Sequence, residues 1–147
     1  MTPGLKMMIG KSILSFIAII TIFSPYLADW NVTHIYNPLW PPHAKFHNAQ
    51  TMSMGVLLGL SSLYFLWLRR YEISALIAGA LFAALYWLSQ LPSFLYPGVG
   101  WTDPNLLKPG QSMHDIPIQL KGDAVLIPLI VFAFWLIMSA HRQTAAE

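Results

Sequence analysis

Four of the five histidines, His34, His43, His47 and His114, lie in two segments between apolar runs, together with four of the six acids, Asp29, Asp103, Asp115 and Asp123. The densest group is Pro41-Pro42-His43-Ala44-Lys45-Phe46-His47-Asn48-Ala49-Gln50. Proline is tolerated in a first helical turn, where amide donors lack partners anyway, so the Pro pair predicts a helix starting near Pro42. His43 and His47 then sit four apart on one face, the spacing at which two imidazoles reach one metal ion, and Gln50 and Met54 continue the stripe. Upstream, Asp29 and His34 flank Trp30-Asn31-Val32-Thr33 where the first apolar run ends. A metal site of His43, His47, His34 and Asp29, with His114 or Asp115 from the second segment, is an imidazole and carboxylate set suited to Fe, Zn, Mn or Cu. Without a metal, the same imidazoles would carry protons or polarise a lipophilic ligand such as a quinone. A third reading is structural: His43 and His47 bond loop carbonyls while Trp30, Trp40 and Trp101 form an aromatic belt.

The rest of the composition narrows these choices. The 147 residues contain no cysteine, which excludes thiol nucleophiles, disulfides, iron–sulfur clusters and Cys-type zinc sites. No HExxH, phosphate-binding glycine loop or GxSxG motif accompanies the histidines. The net charge of +2 forms no basic cluster, so nothing points to nucleic acid. With 56% apolar and only 10% charged residues, the chain cannot cover itself with the polar surface of an ordinary soluble enzyme.

The elements that must position the histidines are four apolar runs, 12–28, 51–68, 73–91 and 124–140. None contains a charge, and each is long enough for a hydrocarbon core of about 30 Å once interfacial ends are included. Residues 1–147 therefore read as a single transmembrane domain, an all-α integral membrane four-helix bundle. Two long, ordered extracytoplasmic loops, Asp29 to Gln50 and Pro92 to Asp123, cap it. Asp123 reads as the N-cap of the last helix. The first run resembles a signal peptide, but the bulky Tyr26 before Ala28 argues for a retained helix. Lys6, Lys11, Arg69, Arg70 and Arg142 share one side, which places both termini in the cytoplasm. A bacterial inner membrane is expected, since nothing marks an organelle address.

The short link Arg69 to Glu72 makes the second and third helices an antiparallel hairpin. Small residues four apart, Gly55/Gly59 on one and Ala75/Gly79/Ala83 on the other, predict close helix packing. The expected contact is within one subunit, or else with a homo-oligomer or membrane partner.

The block Asp29-Trp30-x-x-Thr33-His34-x-x-Asn37-Pro38-x-Trp40-Pro41-Pro42-His43-Ala44-Lys45-Phe46-His47 resembles the signature of a group of small, uncharacterised four-span membrane proteins. The likeness covers the first half of the chain. More distantly the layout resembles the DoxX-like membrane proteins, which implies an association with quinone-linked redox chemistry. A looser likeness to the emopamil-binding sterol isomerases implies acids within the spans, which these four runs lack. The leading expectation is an oxidoreductase, or its small subunit, acting on a lipophilic substrate at the outer interface. The alternative is a non-catalytic accessory subunit of a larger membrane complex.

Overall fold

A computed structural model describes residues 1–69, 72–100, 102–112 and 115–145, without the Phe94 side chain; Arg70, Trp101 and His114 lie outside the described residues. The chain forms four long helices, α1 (Pro3–Asp29), α2 (Pro42–Trp67), α3 (Ile73–Gln90) and α4 (Ile118–Thr144). Among the described residues there is no strand. Each helix is long and apolar enough to cross a membrane. The protein is thus an all-α integral membrane bundle, with both termini at one end and the two long connections at the other.

Local chemistry explains where the helices start. The Thr2 hydroxyl accepts the Leu5 N–H at 3.4 Å, and Pro3 takes the first helical position of α1. Pro41 flanks α2 and Pro42 opens it, so His43 to Gln50 continue the second membrane helix beyond the apolar run. α3 keeps the expected start at Ile73. α4 departs from expectation. It starts at Ile118, flanked by Pro117, and Asp123 is not its cap but a residue of its second turn. Pro117 cannot donate a ladder hydrogen bond, and its carbonyl accepts the Lys121 N–H at 3.3 Å, so the helix nucleates there. An ionisable side chain therefore turns into the bundle within the fourth helix: Asp123 is only 2% exposed.

Spacing on α4 shows why Asp123 turns inward. Asp123, Leu126, Ile130, Ala133, Ile137 and Ala140 repeat at intervals of three and four, and all are buried. This stripe meets Leu14, Ile17, Leu66, Ala83 and Trp87 in a core shared by all four helices. Large apolar side chains such as Phe16, Phe23, Leu57, Leu81, Phe132 and Trp135 instead point outward, as lipid contact requires.

Small residues decide the seams. A Cβ on Gly59 would lie 2.6 Å from the Ala18 carbonyl oxygen and 2.5 Å from Ile22 Cγ1 of α1. One on Gly55 would lie 2.7 Å from the Thr21 carbonyl oxygen. The Gly55/Gly59 face thus seats α1, not α3 as the hairpin reading expected. Gly79 accommodates Leu66 of α2, and Ala75 and Ala83 are buried. Both stripes are filled inside the bundle. Two buried hydrogen bonds lock these contacts: Ser62 Oγ donates to the Gly79 carbonyl at 2.8 Å, and Trp87 Nε1 to Thr21 Oγ1 at 2.9 Å. At the terminal end Lys6 Nζ donates to Ser139 Oγ at 3.0 Å, which joins α1 to α4.

Candidate functional site

The connection between α1 and α2 is built by its asparagines. Asn31 Nδ2 donates to the Ala28 carbonyl, and Asn31 Oδ1 accepts the Thr33 N–H at 2.8 Å, an Asx turn that reverses the chain after α1. Asn37, 2% exposed, donates to the Thr33 carbonyl and accepts the Leu39 N–H at 2.9 Å. These two residues hold Thr33 and His34 against the end of the bundle.

His34 is oriented on three sides. Asn31 Oδ1 is a pure acceptor and lies 2.6 Å from Thr33 Oγ1, so it takes the hydroxyl proton. His34 Nδ1 lies 2.7 Å from the same Thr33 Oγ1 and must therefore donate to it. On the other side of the ring Nε2 faces Asp29 Oδ1 at 3.6 Å, where a proton on Nε2 would be held between imidazole and carboxylate. The Trp40 indole packs edge-on to the imidazole, with ring centroids 5.2 Å apart. Trp40 Nε1 in turn donates to Asp103 Oδ2 at 2.8 Å and ties the first long connection to the second.

Between the two connections lies a polar cavity of about 850 Å³ whose walls include Thr33, His34, Trp40, Asp103, Asp115 and Lys121. His34 and Asp115, from the two different segments, both line this cavity. His43 and His47 stand elsewhere, on the exposed face of the first turns of α2. Their Nε2 atoms are 3.0 Å apart, and Gln50 Oε1 lies 3.2 Å from His47 Nδ1. Two ligands held about 2.0–2.1 Å from one zinc ion stand roughly 3 Å from each other, so the pair has the separation a metal needs. The four-residue set His43, His47, His34 and Asp29 nevertheless divides into two pairs. Among the described residues no three His, Asp or Glu side chains converge as a metal group.

Inward of His34, the polar layer continues into the bundle. Asp29 Oδ2 accepts from Asn48 Nδ2 at 2.7 Å, which clamps the end of α1 to α2. Tyr86 of α3 lies within electrostatic reach of both Asp29 and Asp123. Asn48 Oδ1 and both carboxylate oxygens of Asp123 are buried with no hydrogen-bonding partner.

A family model matches residues 13–126, from within α1 through α2, α3 and both long connections to the start of α4. The chain belongs to the DUF6640 family. It is described as a family of unknown function. No curated protein and no solved structure matches the chain. In this DUF6640 member, the site must therefore be read from its own residues. The sequence reading overlooked Asn31, Asn37, Asn48, Tyr86 and the inward-facing Asp123. The signal for the first two was present: Asn at the first position of Asn31-Val32-Thr33 and before Pro38 is turn chemistry, which aims the intervening His34.

Proposed function

We propose that the protein binds the hydroxyl-bearing head of a lipophilic, quinol-type molecule at the outer membrane interface, as the small subunit of a membrane oxidoreductase. His34 Nε2 accepts the hydroxyl proton. The observation that carries this reading is the Asn31–Thr33–His34 relay, which holds His34 Nε2 facing Asp29 beside the cavity between the two long connections. A proton accepted on Nε2 is then held between imidazole and carboxylate. The orientation in this proposal follows the basic residues: Lys6, Lys11, Arg69, Arg70 and Arg142 keep the termini cytoplasmic, so the cavity opens on the outer side.

A benzoquinol with a decyl tail, titrated into protein in lipid nanodiscs and followed by tryptophan fluorescence, tests this. His34→Ala should weaken binding about tenfold, the worth of one or two hydrogen bonds. Thr33→Val, which removes the acceptor that fixes the tautomer, should weaken it several-fold, and the oxidised quinone should bind less well than the quinol. Equal affinity in wild type and His34→Ala would sink the reading.

A second reading rests on the 3.0 Å separation of the His43 and His47 Nε2 atoms. These two imidazoles hold a transition metal by two bonds, with Gln50 orienting His47 from behind and solvent or lipid phosphate completing the coordination. Zinc titration by calorimetry should show one site per chain that His47→Ala abolishes and His34→Ala leaves intact. Retention of the site in His47→Ala refutes this second reading.

A further inference from the structure

At the end of the bundle that carries both termini, a notch of about 210 Å³ opens beside α4, lined by Trp135, Met138, Ser139, Arg142 and Gln143. At 100° per residue, Trp135, Ser139 and Arg142 fall within about 60° of one another, so they share one face of the helix. Lys6 of α1 reaches the same face: its Nζ donates to Ser139 Oγ and to Gln143 Oε1, each at 3.0 Å. An ammonium has three donors. Two of them go here to neutral acceptors, so one donor and the whole charge remain. Arg142 is exposed at the mouth of the notch and, among the described residues, pairs with no acid. Glu72, the one acid at this end among the described residues, is taken by Arg69 at 2.8 Å. Two cations from the two helices of one seam thus flank one notch without a counter-charge, which suits a phosphate group.

The floor of the notch says what the phosphate is attached to. Trp135, 57% exposed, stacks on Phe132 of the preceding turn with ring centroids 5.9 Å apart, and both rings face away from the bundle core, toward lipid. At 1.5 Å per residue, Arg142 and Trp135 stand about 10 Å apart along the helix, which is close to the step from the headgroup layer to the hydrocarbon. A free phosphate ion would use the two cations and leave this aromatic surface bare.

We propose that the α1/α4 notch binds an anionic phospholipid. Its phosphate lies between the Lys6 ammonium and the Arg142 guanidinium, and one acyl chain runs over Trp135 and Phe132. This site is at the opposite end of the bundle from the His34 cavity and does not rest on the function proposed for it.

The test is native mass spectrometry of the full-length protein in an uncharged maltoside detergent, with dioleoyl phosphatidylglycerol or dioleoyl phosphatidylcholine titrated in. Phosphatidylglycerol should be retained at one molecule per chain where phosphatidylcholine is not. Arg142→Gln should weaken it about fivefold, the worth of one basic residue at a lipid surface. Lys6→Gln combined with Arg142→Gln should weaken it about 25-fold. Arg142→Lys, which keeps the charge and loses the planar fork, should fall between wild type and Arg142→Gln. Arg69→Gln removes a charge at the same end but outside the notch, and should leave the affinity unchanged. Equal affinity of wild type and the double variant for phosphatidylglycerol overturns the proposal, as does equal retention of the two lipids. A loss in Arg69→Gln as large as that in Arg142→Gln reduces the effect to net charge and also overturns it. Displacement of the lipid by millimolar inorganic phosphate assigns the notch to a free anion, with the same consequence.

Discussion

Gly59→Leu should prevent the bundle from assembling, and even Gly59→Ala should lower its stability by about 1–3 kcal/mol, the usual cost of overpacking. The first atom of any side chain would lie 2.6 Å from the Ala18 carbonyl oxygen, a backbone atom of α1 that cannot rotate away. The other close atom, Ile22 Cγ1, is branched next to the backbone and has little freedom to yield. In lipid, where helices gain little by hiding apolar surface from one another, close backbone approach is a main source of association, so α1 and α2 should separate. Thermal or denaturing-detergent unfolding followed by circular dichroism measures the loss. Gly122→Ala is the control: nothing lies within 4 Å of a Cβ there. It should leave stability unchanged or raise it by a few tenths of a kcal/mol, since alanine favours the helix. Equal behaviour of the Gly59 and Gly122 variants would show that α1 does not seat on this face.

Asp123→Leu should stabilise the purified protein by about 1–3 kcal/mol. Most core substitutions destabilise, but this one removes a buried acid with no protein donor and substitutes an apolar side chain of similar size. The neighbours on its stripe, Leu126 and Ile130, are already apolar, so leucine continues a surface that exists. Asp123→Ala should gain less, because truncation leaves a void. A higher unfolding midpoint for Asp123→Leu is the signature of a residue kept for function at a cost in stability. A lower midpoint would mean that the carboxylate does find a stabilising partner in the folded protein.

Particular residues show how far the sequence could be read. Membrane character followed from the charge-free runs, because a hydrocarbon core forces that composition on any chain that crosses it. The Pro41-Pro42 start of α2 and the pairing of His43 with His47 were legible for a local reason: a helix brings residues four apart together without help from the rest of the fold. Asp123 was misread for the converse reason. A capping role and a buried role have the same local signature, an acid before an apolar run, and only the earlier start at Ile118 separates them. The partner of Gly55 and Gly59 was misassigned because small-residue spacing marks a face for close approach and carries no information about which helix approaches.

The metal set illustrates the same boundary. Residue type and loop position grouped His34, Asp29, His43 and His47, since all four lie near the loop end of the chain's apolar helices. The fold divides them, because the Asn31 and Asn37 turns carry His34 back over Asp29 while the α2 helix points His43 and His47 outward. Composition and period thus determined by themselves that this is a four-helix membrane protein and which end holds most of its histidines and acids. These are properties of single segments in contact with lipid or water. Which helix α1 seats against, and that Asp123 faces inward, were decided only by tertiary structure. Each of these depends on contacts between residues far apart in the chain, and helical spacing places a side chain on a face without saying what that face meets.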